Sequence, residues 1–213
     1  MLKKRFIDTL HELGASPEQA NTAWTELSTL YLEKGRAYHS LAHISHMLEL
    51  MDEHISNDAK SAELELAIWY HDVIYDPLSK ENELQSAELA KERLSAITQL
   101  SKDSLDRIYL LIMSTKGHLP RIEGEHRLEN EWMLDLDLSI LGSEEKAYQL
   151  YTQQIRQEYH MYAPDDYRLG RSQVLKSFLG REEIYFSDIF KQLFEEKART
   201  NLAKEIEALT KDK

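Results

Sequence analysis

Apolar residues recur at helical spacing along most of this chain of 213 residues. In residues 2–13 they lie three or four positions apart and stop at Gly14, and a similar spacing marks residues 40–55. With 7 Gly and 4 Pro, the chain has few residues that favour turns, and its Ala-, Leu-, Glu- and Lys-rich stretches favour helices. The predicted fold class is therefore all-α.

No low-complexity linker, internal repeat or change in composition divides the chain, so we predict a single domain over residues 1–213. Ser16 and Pro17 are typical of the first turn of a helix. The pattern predicts helices over about residues 2–13, 17–32, 40–55 and 59–74, from 80, over 102–115, 131–141 and 143–162, a short one beginning in 163–167 and a long one over 187–209, with a loop at 116–130.

The chain is acidic, with a net charge of −12 from 38 acidic and 26 basic residues. Such a surface repels polyanions, so we expect neither a nucleic acid polymer nor an anionic membrane as a partner. The absence of cysteine excludes disulfides and thiolate metal sites. The N-terminal stretch lacks the features of a secretory signal, and no window is long enough to span a bilayer, so we expect a cytoplasmic protein.

The stretch "YHSLAHISH" is the first of three clusters of side chains that can bind a metal ion. Its His39, His43 and His46 lie four and three residues apart, so a helix that includes His39 carries them on adjoining parts of one face. Taken alone, this spacing is more often a chance feature of a helix than a set of ligands.

The two other clusters lie where the apolar pattern predicts the core. "IWYHDVIYD" places His71 beside Asp72, and "LDLDLSILG" places Asp135 and Asp137 among leucines. Alone, the first fits a hydrogen-bonded patch and the second fits an acidic first turn that stabilises the helix dipole. Burying a carboxylate is costly unless it is paired or coordinated, and one shared divalent cation would satisfy all three clusters. Nitrogen and oxygen ligands suit Mn, Fe, Co, Ni, Zn or Mg without selecting among them.

The order His, then His-Asp, then Asp along a helical chain resembles the HD-domain superfamily of metal-dependent phosphohydrolases. Five segments are similar to a bacterial branch of predicted HD phosphohydrolases: "YHSLAHISHMLEL", "AIWYHDVIYD", "ENELQSAELA", "DLDLSILG" and "GRSQVLKSFLGREEIYFSD". The resemblance covers roughly residues 36–190. The resemblance implies an HD-domain-like helical bundle, with the terminal helices packed on this core, and a site for one or two divalent ions.

Carried over by position, the resemblance implies four metal ligands: His43, His71, Asp72 and Asp137. His39 is the alternative to His43, because both lie in the matching stretch. Asp135 is the alternative to Asp137, because the superfamily's last aspartate often stands in a D-x-D pair. The apolar residues that follow His43 and Asp137 favour these two.

The resemblance also implies hydrolysis of a phosphate ester, in which the cation activates water and polarises a phosphoryl oxygen. Asp72 would bridge to a second ion. His118, in the polar loop, would bind that ion or protonate the leaving group, although an exposed loop histidine fits its position equally well. Glu83 is a candidate base, or a carboxylate that orients a ligand.

Five residues are candidates for contact with the substrate: Arg36, His39, Asp76, Lys116 and Arg171. The three basic residues lie near the matched motifs but also fit solvated surface positions. Asp76 would orient a ligand histidine, or would cap the turn before Pro77. We interpret the remaining isolated histidines as surface residues: His11, His54, His126 and His160.

Tyrosines recur in the region after residue 143, at Tyr148, Tyr151, Tyr159 and Tyr162. They fit a pocket for a nucleobase, but we favour core packing or a homodimer interface.

The sequence thus predicts a metal-dependent phosphomonoesterase or phosphodiesterase acting on a small, nucleotide-like phosphate ester. Two alternatives use the same scaffold: an oxygenase with a di-iron centre, and a non-catalytic module that binds a metal or a ligand. The complete ligand set argues against the module, because a degenerate sensor is expected to have lost a ligand.

Overall fold

Ten α-helices and two 3₁₀ helices form the part of the chain that the computed structural model describes, residues 1–57 and 59–211. The α-helices are α1 (Leu2–Glu12), α2 (Pro17–Tyr31), α3 (Leu41–His54), α4 (Ala62–Tyr70), α5 (Asn82–Ile97), α6 (Lys102–Thr115), α7 (Arg127–Leu138), α8 (Glu145–Glu158), α9 (Pro164–Leu179) and α10 (Asp188–Lys211). The 3₁₀ helices cover Gly124–His126 and Ser139–Gly142. No strand occurs in these residues, and the predicted all-α class is confirmed.

Serine side chains cap the N-termini of several helices. Ser16 Oγ accepts a hydrogen bond from the Gln19 amide, and the Gln19 side chain accepts one from the Ser16 amide, which completes a capping box for α2. Ser61 and Ser101 cap α4 and α6 through bonds to the amides three residues further on. Each cap of this kind stabilises a helix by about 1 kcal/mol, so these helix starts depend mainly on local sequence.

Two helices in the second half differ from the prediction. The predicted loop over 116–130 ends earlier, because α7 begins at Arg127. The side-chain oxygen of Asn130 accepts hydrogen bonds from the amides of Arg121 and Ile122 and folds the preceding segment back onto α7. The helix predicted to be short, α9, continues to Leu179, because its Leu175 is fully buried and α10 packs against it.

The end of α4 also differs from the prediction, and the start of α3 matters for the site as well. Ser40 has an extended backbone and caps α3, so this helix begins after His39 and does not carry His39 and His43 on one face. α4 ends at Tyr70, and His71 follows it as the C-terminal cap. Arg36 stabilises the backbone at both of these helix ends, because it donates hydrogen bonds to the carbonyl oxygens of His39, Asp72 and Val73.

Helix α4 lies at the centre of the fold and packs against α3, α5, α6 and α7. Residues 66–70 are all buried, as expected for a helix that is apolar on every side. The ring of Trp69 contacts Phe6 of α1 and Trp24 of α2, with centroids 5.3 and 6.1 Å apart. In the described residues, no helix has both the length and the apolar character needed to cross a membrane.

The 3₁₀ helix Ser139–Gly142 fixes the segment after α7 to α10. Asn201 of α10 donates hydrogen bonds to the carbonyl oxygens of Leu141 and Ser143, both at 2.9 Å. A Cβ atom at Gly142 would lie 2.5 Å from the Cβ atom of Phe194 and 2.6 Å from its carbonyl oxygen. This close approach requires glycine.

We expect Gly142→Ala to lower the free energy of unfolding by about 1–3 kcal/mol, because the added methyl group must displace Phe194 and the α10 backbone. Gly170→Ala in α9 is the matched control, since its Cβ atom would meet no atom within 4 Å. That variant should gain up to about 1 kcal/mol from helix propensity. Urea unfolding followed by circular dichroism measures both, and equal stabilities would contradict the close approach.

Candidate metal centre

His43 reaches the interior from the first turn of α3, which packs against α4 and α7. Its imidazole is buried, and the ring of Tyr38 lies against it with centroids 4.7 Å apart. The Nε2 atom of His43 lies 3.2 Å from Oδ1 of Asp137 in α7. The serine cap that starts α3 therefore sets the position of a buried nitrogen donor.

His71 presents a nitrogen atom that has no hydrogen-bond partner in the described residues. Its Nδ1 atom lies 2.9 Å from the carbonyl oxygen of Ile68, so Nδ1 carries the proton. In the neutral ring Nε2 is then an acceptor, yet it faces Oδ2 of Asp72 at 3.0 Å and Oδ1 of Asp137 at 3.6 Å. Nε2 is buried and unpaired. Three acceptors that face one another are satisfied by a positive charge between them, which a proton on Nε2 or a bound cation can supply.

Asp137 lies in the middle of this cluster. Its Oδ1 atom faces His43 and His71, and its Oδ2 atom lies 3.0 Å from Nε2 of His118. One donor atom from each of His43, His71 and Asp137 lies within 4.8 Å of the others, and Asp72 adds a further carboxylate oxygen beside His71. These two nitrogen and two oxygen donors, which include the unpaired Nε2 atom of His71, fit a divalent cation.

The charges of the cluster favour a cation. Burial raises the pKa of Asp137, but hydrogen bonds from His118, His43 and His71 outweigh it and hold that pKa well below its usual value. Burial also raises the pKa of Asp72, and the charge of His71 outweighs it, so that pKa is lowered as well. Burial lowers the pKa of His71, but the charges of the two carboxylates outweigh this effect and raise it. The pKa of His43 is lowered, mainly by burial. Two ionised carboxylates therefore share one buried site.

His118 is held at the cluster by its backbone. It has a positive φ of 51°, which non-glycine residues adopt rarely. Arg181, which follows α9, donates hydrogen bonds to the carbonyl oxygens of His118 at 2.9 Å and Gly117 at 2.8 Å. The loop histidine therefore contacts Asp137 and does not extend freely into solvent.

Asp135, the alternative to Asp137, lies outside the cluster. Its carboxylate accepts hydrogen bonds from the amide of Phe186 at 2.8 Å and from the amide and hydroxyl of Ser187 at 2.8 and 2.6 Å. Burial raises the pKa of Asp135 to about 6. Residues two apart on a helix do not share a face, so only one member of the D-x-D pair can face the histidines. Asp135 instead anchors the segment before α10.

Three other predicted site residues lie apart from the cluster. Glu83 is in the first turn of α5, and Lys116 ends α6 with its Nζ atom 3.6 Å from a carboxylate oxygen of Glu81. Asp76 is exposed, and its side chain accepts a hydrogen bond from the amide of Leu78 at 2.9 Å. Asp76 therefore caps its turn, which is the second of the two interpretations given above.

Arg36 supports the cluster from behind. Its side chain is 2% exposed, and its guanidinium group donates to backbone carbonyl oxygens, including those of Asp72 at 2.6 Å and Val73 at 2.7 Å. A guanidinium group held in this way positions the backbone of Asp72 and is not open to an anionic substrate.

Glu158, which the sequence pattern does not single out, organises the segment before α3. It ends α8 and is 1% exposed. One carboxylate oxygen accepts hydrogen bonds from the amides of Ala37, Tyr38 and His39, and the other lies 2.6 Å from Nδ1 of His39 and accepts from Tyr75 at 3.0 Å. The sequence carries no signal for this role, because a glutamate at the end of a polar helix normally faces solvent.

Glu158 and His39 form an ion pair. Burial raises the pKa of Glu158, but the hydrogen bond and charge of His39, together with backbone amides, lower it to about 2. Burial lowers the pKa of His39, but the charges of Asp72 and Glu158 outweigh it and raise that pKa. His39 therefore carries a proton on Nδ1 and is fixed in orientation, with its ring stacked on Tyr75 at a centroid distance of 4.2 Å.

A cavity of about 580 Å³ adjoins the cluster, and His39, His118 and Asp137 line it. Its size lies within the range of roughly 300–1,000 Å³ that is typical of small-molecule sites. Most of the wall comes from α8, α9 and the segment between them. The cavity therefore gives a small molecule access to Asp137.

Three of the four predicted tyrosines line this cavity: Tyr151, Tyr159 and Tyr162. Tyr148 does not line it, and donates a hydrogen bond to Glu205 instead. Arg171 also lines the cavity, but its guanidinium group is bound by Glu205 and lies 3.2 Å from the Tyr151 hydroxyl. The pocket interpretation of the tyrosines thus fits three of them, and core packing fits the fourth.

The remaining histidines lie outside the cluster. His160 is exposed, and the other four are partly exposed: His11, His46, His54 and His126.

We expect Glu158→Gln to change how stability depends on pH. The carboxyl group has an ordinary pKa of 4.5 and a folded-state pKa of about 2. Its ionised form therefore stabilises the fold above the ordinary value, and this contribution is lost as the pH falls through that interval. The free energy of unfolding of the wild-type protein should exceed that of Glu158→Gln by about 3 kcal/mol at neutral pH, and this excess should shrink towards pH 2.

Urea unfolding at a series of pH values measures this difference. The variant Glu196→Gln, at an exposed position in α10, controls for the loss of one negative charge. Wild-type and Glu158→Gln proteins with parallel pH profiles would contradict the assignment.

Comparison of the chain with protein-family models, with curated proteins and with solved structures found no match.

Proposed function

We propose that this protein is a metal-dependent hydrolase of small phosphate esters, built on an HD-domain-like helical bundle. The observation that carries the proposal is the buried, unpaired Nε2 atom of His71, which faces carboxylate oxygens of Asp72 and Asp137. A bound divalent cation satisfies all three groups at once. Asp137 also lines the adjoining cavity, so a ligand there reaches the same site.

In this proposal the cation is held by His43, His71, Asp72 and Asp137. When bound, it supplies Lewis-acid activation of water and of a phosphoryl oxygen. Arg36 keeps the backbone of Asp72 in place, and Arg181 keeps the loop of His118 against Asp137. Positioning by such surrounding residues typically changes metal affinity or activity by about 10–100-fold.

His39 is the proposed general acid. Its Nδ1 atom is bound by Glu158, which leaves Nε2 as the nitrogen that donates a proton to a ligand in the cavity. The ionised Glu158 stabilises the protonated imidazole. As water attacks phosphorus and forms the new bond from phosphorus to oxygen, His39 would protonate the leaving oxygen, whose bond to phosphorus breaks. Glu158 acts through His39 and is a positioning residue.

We expect purified wild-type protein to contain close to one divalent ion per chain, and His71→Ala/Asp72→Ala to contain almost none. The double variant removes a nitrogen donor and an oxygen donor without touching the cavity wall. Elemental analysis of protein prepared without chelator or an affinity-column metal measures the content.

The variant His160→Ala/Asp76→Ala is the matched control, because both positions are exposed and the same residue types are lost. This control should keep the metal. A wild-type protein that contains no metal, and gains no thermal stability from added Mn, Ni, Co, Zn or Mg, would contradict the proposal.

We expect His39→Asn to lower kcat by about 10²–10⁴-fold on an alkyl phosphate, because the alkoxide leaving group needs a proton. On p-nitrophenyl phosphate the loss should be much smaller, since nitrophenolate leaves without one. Steady-state kinetics on both esters measures the ratio. An equal loss on both esters would assign His39 a structural role.

A further inference from the structure

The cavity beside the metal centre is walled by aromatic rings. Five tyrosines line it: Tyr38, Tyr151, Tyr159, Tyr162 and Tyr167. The rings of Tyr159 and Tyr162 are inclined by only 28°, with centroids 6.1 Å apart, and Tyr162 is 39% exposed. Aromatic faces of this kind offer planar groups a larger contact than saturated groups of the same size.

One buried polar group among the residues of this wall has no partner. The Tyr38 hydroxyl makes no hydrogen bond within the described residues, and its oxygen atom is shielded from the cavity. It is therefore not a contact for a ligand, and the aromatic rings are the main feature that the tyrosines offer one.

The charges of the cavity point to a substrate with a single phosphate group. Arg171 is the one lysine or arginine among the residues that line the cavity in the described chain. Its guanidinium group forms a pair with Glu205, with distances of 2.8 and 3.1 Å, and contacts Tyr151. Asp166 adds a further negative charge to the lining. The protonated His39 is paired with Glu158, and a divalent ion offsets only the charges of Asp72 and Asp137.

A second phosphate group in this cavity would therefore meet no free positive charge. Negative groups placed near others without a counter-charge cost several kcal/mol in an interface.

We propose that the cavity selects substrates in which one phosphate group is attached to a planar aromatic moiety, such as a nucleoside. This inference rests on the proposed function. Esters with two or more phosphates are rejected. The aromatic moiety lies against the tyrosine wall, and its phosphate lies at Asp137, His39 and His118.

The first test compares benzylphosphonate with cyclohexylmethylphosphonate, two non-hydrolysable probes that differ in the planarity of the ring. Titration calorimetry of the metal-containing protein should give a dissociation constant roughly fivefold lower for benzylphosphonate. Tyr159→Leu and Tyr162→Leu, each of which removes one ring, should reduce this preference to less than about twofold. Tyr162 is exposed, so its variant is expected to fold.

Two further variants serve as controls in this test. Tyr159→Phe keeps the ring and should keep the preference. Tyr109→Leu removes a tyrosine of α6 that does not line the cavity, and should also keep it. Equal affinity of wild-type protein for the two phosphonates, or no binding of either, would overturn the proposal.

The second test concerns charge and uses AMP and ADP as competitors of benzylphosphonate. AMP should compete at least about tenfold better than ADP. Glu205→Gln, which removes the carboxylate that pairs with Arg171 and nearly keeps its shape, should narrow this ratio by freeing a positive charge. ADP that competes as well as AMP in the wild-type protein would overturn the charge argument.

Failure of this inference is distinguishable from failure of the proposed function. Hydrolysis of phosphate esters without a preference for the aromatic probe would contradict the inference alone. Selective binding of benzylphosphonate by a protein that hydrolyses no ester would contradict the proposed function and leave the binding preference in place.

Discussion

Two carboxylates, Asp72 and Asp137, lie in the protein interior beside two buried imidazoles, and the surrounding structure depends on this arrangement. Removing a carboxylate from water is unfavourable by several kcal/mol unless opposite charge and hydrogen bonds replace the solvent. The start of α3, the C-terminal end of α4 and the middle of α7 must therefore meet at one point. The Nε2 atom of His71 has no hydrogen-bond partner in the described residues, which leaves it available to a proton or to a metal ion.

The residues around the cluster connect distant parts of the chain to it. Arg36 binds the backbone of Asp72, and Glu158 binds the amides of residues 37–39. Through these contacts the short segment before α3 is tied both to the metal centre and to α8. His39 lies at the junction, which fixes its orientation toward the cavity. The proposed proton donor, His39, is thus held in place by Glu158, which lies more than a hundred positions away along the chain.

The C-terminal helices add the part of the site that would distinguish one substrate from another. α8, α9 and the segment between them supply the tyrosines, and α10 supplies the Glu205 that pairs with Arg171. The proposed chemistry and the proposed selectivity therefore come from different parts of the chain. The candidate metal centre is formed by α3, the end of α4 and α7, and the cavity wall mostly by the residues that follow α7.

The sequence by itself determined the helical class and several helix starts, because these depend on local spacing, caps and turn residues such as Ser16. The sequence also predicted that three clusters, at residues 39–46, 71–72 and 135–137, share one site, since charged groups within apolar stretches must find partners. The set His43, His71, Asp72 and Asp137 came from the resemblance. Only the tertiary structure decided between Asp135 and Asp137, because the side of α7 that faces α3 depends on packing. Only the tertiary structure shows that Arg36 points inward and that Glu158 is buried. A long polar side chain gives the same sequence pattern whether it faces solvent or binds a distant part of the backbone.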